Sequence, residues 1–291
     1  VSFPHHLTAL VEDEIRRIAD EDHLAALPDV RPLAAAVRYP LEAGGKRLRP
    51  LLLLATVDAL GGRVAASLPA AVALEWVHTF SLVHDDLPAL DDDDLRRGRP
   101  TTHIAYGEDV AVLVGDALLN GAYRLVLDRQ RCPASRRSVV LRAMVAGIDG
   151  MIAGQYLDVR PPAHPDGEWL RRMCSLKTGA LLRAAVAMGI GLAGAAPAWE
   201  AAYLAVADEL GVGFQIVDDV LDATGTDDAL GKPAGSDAEH GKRTYVTVLG
   251  LDRARELACA SEDRCRELLD ALPGRPDAFR AIVERVYARD R

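Results

Sequence analysis

The sequence predicts an all-α chain, a single-domain bundle of many helices. Alanine is abundant, runs of β-branched residues are few, and apolar residues recur three and four apart. Long helical stretches joined by short polar connections pack on one another as a bundle rather than in layers on a sheet.

Ten helices are expected, over residues 7–22, 32–39, 48–60, 68–83, 110–128, 135–159, 168–193, 199–223, 245–271 and 276–289. The third starts directly after Gly44-Gly45-Lys46-Arg47. The fourth is mostly apolar from Val72 to Val83 and runs into a dense group of aspartates. Pro88 forbids a straight continuation there, because it lacks an N–H and its ring clashes with the preceding turn. Pro161-Pro162 separates the sixth helix from the seventh. Gly194 sits in the break after the seventh, and Pro197 precedes the eighth. Pro273-Gly274-Arg275-Pro276 is short enough to be an inter-helix loop before the last.

No linker, low-complexity tract or internal repeat divides the 291 residues, so one domain over 1–291 is expected. With 49% apolar residues the chain can bury a large core, and a net charge of −9 argues against broad nucleic-acid binding. Cys132, Cys174, Cys259 and Cys265 lack C-x-x-C spacing and read as reduced packing residues rather than a zinc site. No signal peptide is evident at the start, where the first residue is Val. The most apolar run, Ala184 to Trp199, is shorter than the roughly 20 residues a bilayer-spanning helix needs. No membrane span is expected, and the chain reads as cytoplasmic.

The chemistry concentrates in His84-Asp85-Asp86-Leu87-Pro88-Ala89-Leu90-Asp91-Asp92-Asp93-Asp94-Leu95-Arg96-Arg97-Gly98, with six aspartates in ten positions. Carboxylates so crowded raise one another's pKa unless a cation sits between them. Oxygen-only donors suit a hard divalent ion, and Mg²⁺ takes one or two carboxylates plus waters and phosphate oxygens. Arg96 and Arg97 add planar forks matched to phosphate. On a straight helix, at about 100° per residue, Asp85 would share a face with Asp92; a bend at Pro88 would bring Asp91 beside it instead. Spacing leaves the two open. A solvated acidic loop is the plain alternative.

A second acidic group ends the eighth helix. Asp218 and Asp222 are four apart and so neighbours on one face, with Asp219 between them. Apolar residues precede them, and buried acids are rare unless paired or metal-bound. Two such clusters at the ends of apolar helices suggest facing walls of one metal site. Gly44-Gly45-Lys46-Arg47-Leu48-Arg49-Pro50 adds glycines for close backbone approach and three cations at a helix start, suited to an anion. It lacks the spacing of a Walker loop, and a simple basic cap is its plain reading.

Six segments together resemble the trans-isoprenyl diphosphate synthases: Gly44-Gly45-Lys46-Arg47-Leu48-Arg49-Pro50, Asp85-Asp86-x4-Asp91, Arg96-Arg97-Gly98, Gly154-Gln155-x2-Asp158, Lys177-Thr178-Gly179-Ala180 and Phe214-Gln215-x2-Asp218-Asp219-x2-Asp222. Order and separations match over nearly the whole chain. The six-residue step from Asp85 to Asp91 resembles the bacterial farnesyl and geranylgeranyl diphosphate synthase branch. Gly231-Lys232-Pro233-Ala234-Gly235-Ser236-Asp237 and Lys242-Arg243-Thr244-Tyr245 also agree, apart from Pro233, where a non-proline residue is expected.

The resemblance implies an isoprenoid-synthase bundle around a central Mg²⁺-binding cavity, assembled as a homodimer. It implies head-to-tail prenyl transfer: an allylic diphosphate (dimethylallyl or geranyl) ionises, isopentenyl diphosphate attacks the carbocation, and a proton is lost, with released pyrophosphate as its acceptor. Three Mg²⁺ ions are implied, two on Asp85 and Asp91 and one on Asp218, with Asp222 and Asp219 acting through water. The allylic diphosphate falls to Arg96, Lys177, Lys232 and Lys242, and isopentenyl diphosphate to Lys46, Arg49, His78 and Arg97. His78 lies seven residues before Asp85 and so shares its helical face. Thr178 and Gln215 are suited to stabilise a carbocation by oxygen dipoles in a site shielded from water. With Lys177 and Lys232 they form the expected catalytic set. Gln155 and Asp158 either line the same cavity or pair along their helix.

Product length falls to Phe80 and Ser81. Phe80 stands about 7.5 Å before Asp85 along the helix axis, where the bacterial farnesyl synthases carry an aromatic and the geranylgeranyl synthases a smaller or flexible residue. This favours a C15 product, with C20 the alternative. Five residues are also about 140° round an ideal helix, which would turn Phe80 towards a neighbouring helix as ordinary core. A class I terpene cyclase would share the first acidic cluster, but its second metal motif usually carries Asn, Ser or Glu, and it has no need of Lys46, Arg49 and Arg97. A regulatory subunit of a synthase would not be expected to keep both acidic clusters.

Overall fold

Helix propensity and the placement of proline set the frame. A computed structural model describes residues 3–21, 23–224 and 242–288. In chain order the helices are α1 (His5–Asp20), α2 (Arg31–Leu41), α3 (Leu48–Ala59), α4 (Val64–Asp85), α5 (Thr102–Tyr106), α6 (Glu108–Arg124), α7 (Ala134–Val159), α8 (Gly167–Cys174), α9 (Ala180–Ala193), α10 (Pro197–Thr224), α11 (Tyr245–Leu249), α12 (Leu251–Asp270) and α13 (Asp277–Tyr287). Among the described residues the sole sheet is a hairpin pairing Leu95–Arg96 with Arg99–Pro100. The fold is the expected all-α bundle.

At its centre stands α4, buried on every side from Ala70 to Val77. It packs on α3 and α6, while α7 lies on α9, and α10 on α9 and α12. The helix begins at Val64, four residues before the expected start, although Pro69 lies inside it. Pro69 disturbs the ladder of main-chain bonds around it. The buried Gln130 side chain repairs the gap: its Oε1 accepts from the Ala70 N–H at 3.1 Å, and its Nε2 donates to the Ala66 carbonyl at 2.8 Å.

Three further departures have local causes. The expected helix over 245–271 breaks at Gly250, whose φ of 86° is open to glycine and costly for other residues. Thr244 starts α11 with a capping box, its Oγ1 accepting from the Thr247 N–H. The expected helix over 168–193 is interrupted by a π-type turn at Ser175–Gly179, and that over 110–128 ends in another at Leu125–Arg129. Such wide turns are rare and concentrate at functional sites.

The stretches Val64–Asp85, Glu108–Arg129 and Gly167–Ala193 are long and apolar enough to cross a bilayer by length and composition alone. They are longer than the single run the sequence pointed to, because helices continue through Pro69 and through both π turns. The 18-residue apolar window within each is 67%, 44% and 61% buried in the bundle, least in the stretch formed by α6 and the π turn after it.

Candidate active site

Local main-chain geometry decides the question the aspartate spacing left open. The α-helix ends at Asp85, and Pro88 sits in the turns that follow rather than bending a continuing helix. The Leu87 N–H donates to His84 O at 3.2 Å, Leu90 to Leu87 O at 2.8 Å, and Asp91 back to Asp85 O at 2.9 Å. That last bond draws Asp91 alongside Asp85. Asp92 is exposed, with a left-handed φ of 53°.

The hairpin that follows turns through Arg97 and Gly98, both at positive φ (54° and 74°), as a tight two-residue turn requires. Arg96 is held by the buried Asp86: its Nε donates to Asp86 Oδ1 at 2.6 Å, and Nη2 stands 2.5 Å from the same oxygen as an ion pair. Arg97 donates to the Gly44 carbonyl, and its guanidinium lies where a Cβ on Gly45 would stand, 2.6 Å from Nη1. The glycine pair thus admits an arginine. Arg47, by contrast, is buried and structural: it bonds Glu12 at 2.7 Å, Glu75 at 2.8 Å and the Leu41 carbonyl at 2.9 Å.

On the opposite wall, the π turn at Ser175–Gly179 carries Lys177 and Thr178. Lys177 bonds Asp158 at 2.5 Å, so Asp158 does not pair with Gln155. Both amide atoms of Gln155 are buried without a hydrogen-bond partner among the described residues. Thr178 Oγ1 donates to Gln215 Oε1 at 3.1 Å, Gln215 Nε2 donates to Asp219 Oδ1 at 2.8 Å, and the Tyr245 N–H donates to Asp219 Oδ2 at 2.8 Å. Asp219 therefore orients the Gln215 amide and anchors the start of α11. Just before it, Lys242 reaches Asp91 at 3.1 Å.

These walls enclose a cavity of about 760 Å³. Asp85 and Asp218 line it together, with Arg96, Lys177 and Thr178 at the polar end. Lys46, Arg49 and Arg97 add further cations to its lining with His78 among them, and Phe80, Met151, Ile152 and Phe214 bring apolar surface beside Ser81 and His84. Asp91, Asp222, Gln215 and Lys242 are not on its lining. Asp91 adjoins Asp85 through the main chain, and Asp222 is buried one turn beyond Asp218 on α10. Phe80 therefore meets both descriptions, lining the cavity while only 8% exposed. Lys232 and the whole 231–237 loop lie outside the described residues.

Electrostatics follow from this crowding. Burial, with Asp91 nearby, pushes the Asp85 carboxyl up to about 6 against the pull of Lys177. Burial would lower Lys177, but Asp158 and Asp85 outweigh it and leave the ammonium above its ordinary value. Burial brings Arg49 down to about 10, with Arg97 adding to the fall, and its Nε finds no acceptor among the described residues. Burial, then Arg49 and Arg97, hold His78 well below the ordinary imidazole range. Among the described residues no three carboxylate, imidazole or thiolate side chains cage an ion by themselves. A cation here would complete its shell with water and substrate oxygens, which is the habit of Mg²⁺.

The sequence of one family, polyprenyl synthetase, matches residues 30–286. The farnesyl diphosphate synthase of Geobacillus stearothermophilus is 44% identical over 268 residues, 89% of each chain. The chain belongs to the polyprenyl synthetase family. Within it, the geranylgeranyl diphosphate synthase of Cyanophora paradoxa is 41% identical over 248 residues, 83% of each chain. A solved geranyltransferase of Helicobacter pylori, complexed with magnesium and isoprenyl diphosphate, superimposes with a TM-score of 0.85 at 30% identity, covering 99% of both chains. As a member of this family the chain is a prenyltransferase whose substrates are isoprenyl diphosphates.

Sequence reasoning passed over Asp86 and the Arg47–Glu75 pair as supports of the site, and gave Asp219 a water-mediated role where the structure has it bracing Gln215 and the Tyr245 N–H. One signal was available: Glu75 interrupts an otherwise apolar run from Ala70 to Val77, and an acid there needs a cation.

Proposed function

We propose that the chain condenses isopentenyl diphosphate with dimethylallyl or geranyl diphosphate and releases farnesyl diphosphate, C15, as its main product. The observation that carries this reading is the shared cavity, which Asp85 and Asp218 face from helices remote in sequence, beside cationic side chains and apolar surface at Phe80. The donors are hard carboxylate oxygens that crowd one another, and they fit Mg²⁺. Asp85, Asp91 and Asp218 would hold it, Asp222 would act through water, and three ions per site is the expected complement. When bound, Mg²⁺ neutralises the negative charge that gathers on the departing pyrophosphate.

The chain's own residues do the rest. Arg96, Lys177 and Lys242 would bind the allylic diphosphate, joined by Lys232. Arg49, His78 and Arg97, with Lys46, would bind isopentenyl diphosphate, since burial and then neighbouring arginines hold Arg49 and Arg97 below their ordinary values and an anion relieves that crowding. Thr178 and Gln215 would present oxygen dipoles to the cationic carbon while the buried walls keep water away. The Geobacillus relative and Phe80 on the cavity wall support C15. The geranylgeranyl relative at 41% identity makes C20 the second reading.

The whole chain, 1–291, is read as one catalytic domain, cytoplasmic and homodimeric. The outward apolar residues of α6 and α7 support the dimer. The deciding experiment supplies purified protein with Mg²⁺, isopentenyl diphosphate and either dimethylallyl or geranyl diphosphate, then separates the dephosphorylated products by length. C15 alcohol as the main product is expected, and mainly C20 would replace that assignment. Hydrocarbon released from farnesyl diphosphate without isopentenyl diphosphate would mark a cyclase, and an inactive purified chain would mark a regulatory subunit.

A further inference from the structure

We propose that His84 and Gly115 govern product length: His84 buttresses Phe80 at the cavity wall, and Gly115 on α6 provides the clearance that His84 occupies. The inference deepens the prenyl-transfer reading and rests on it. Phe80 and His84 are one turn apart on α4 and share a face. Their rings meet edge to face, centroids 5.5 Å apart and planes at 86°, and both line the cavity. Beyond Phe80 the His84 ring reaches α6, where its Nε2 lies 3.1 Å from the Val112 carbonyl oxygen.

Gly115 is buried one turn further along α6. A Cβ there would overlap Nε2 and Cδ2 of His84 and stand 2.7 Å from Cε1. Contacts so close are not tolerated in packed interiors, so something must shift. An added methyl drives the imidazole away from α6, towards the cavity it already lines, and Phe80 with it. Ser81 does not take part in this brace; its Oγ bonds the His78 carbonyl at 2.9 Å on its own helix. The pair Phe80–His84 is thus a wall whose depth α6 sets. His84 and Gly115 are positioning residues in this scheme, acting on length rather than on bond making.

The test compares product ratios, which do not depend on how much protein is folded. Gly115→Ala should shorten the product, lowering the C15:C10 ratio about tenfold, the discrimination one small group in an apolar pocket supplies. His84→Ala should raise C20 over C15 by a similar factor. The double variant should match His84→Ala, since the added methyl has no ring left to push. Unchanged ratios in both single variants overturn the proposal, as does a Gly115→Ala effect that persists without His84. If a variant turns over too slowly to read, calorimetric affinities for geranyl, farnesyl and geranylgeranyl diphosphate report the same wall without chemistry, and an unchanged order of affinities is the overturning result. Wild-type protein that makes no isopentenyl-dependent product fails the underlying reading instead.

Discussion

At the scale of single residues, the site is a set of charges held in tension. His78 is neutral in the folded protein because burial and the neighbouring arginines penalise its protonated form. In the unfolded chain it protonates near its ordinary value of 6.5. The unfolded state then binds the extra proton on acidification, so stability present above about pH 6.5 is lost as pH falls. His78→Gln removes that proton site. Its melting temperature should fall less between pH 7 and 5.5 than that of the wild type, the difference being at most about 1.4 kcal/mol per pH unit. Phe80 makes a different prediction. Phe80→Ala deletes a ring from the cavity wall, and the C20:C15 ratio should rise about tenfold, as read by chromatography of the alcohols. A spectrum identical to wild type would remove Phe80 from the length mechanism.

At the scale of elements, irregular backbone does much of the positioning. The π turn at Ser175–Gly179 presents Lys177 and Thr178 to the cavity, and α7 must come very close for Asp158 to hold that lysine. A Cβ on Gly154 would overlap the Lys177 main chain. Gly154→Ala should therefore part α7 from the turn, costing about 1–3 kcal/mol in urea denaturation and lowering kcat together with stability. Gln130 gives the contrasting case, because it repairs α4 far from the chemistry. Gln130→Ala leaves the Ala70 N–H and the Ala66 carbonyl without their partner, at a cost of about 1–3 kcal/mol, with the product ratio unchanged.

At the scale of the whole molecule, α7 carries apolar side chains outside its buried face as well as on it. Val140, Met144, Ile148 and Met151 are buried in the bundle, whereas Val139, Val145, Ile152 and Tyr156 are exposed. Val112 and Leu113 on α6 are exposed as well. Apolar side chains left on the outside of a bundle suit a second partner. Replacing Leu113 and Val145 together by Arg should convert a dimer to a monomer in sedimentation velocity, and wild-type protein already monomeric would refute the assembly. By itself the sequence determined the helical class, the approximate helix limits, the family and the cast of charged residues. Those follow from apolar spacing, proline and glycine punctuation, and motif order, all of which are local along the chain. The tertiary structure alone decided that Asp91 rather than Asp92 adjoins Asp85, that Asp158 serves Lys177 and not Gln155, and that Asp219 braces Gln215. It alone showed that helices continue through Pro69 and widen at Lys177. Each of these turns on a hydrogen bond or close approach whose partner is supplied by another segment or by the fold of a turn, and residue spacing cannot name that partner.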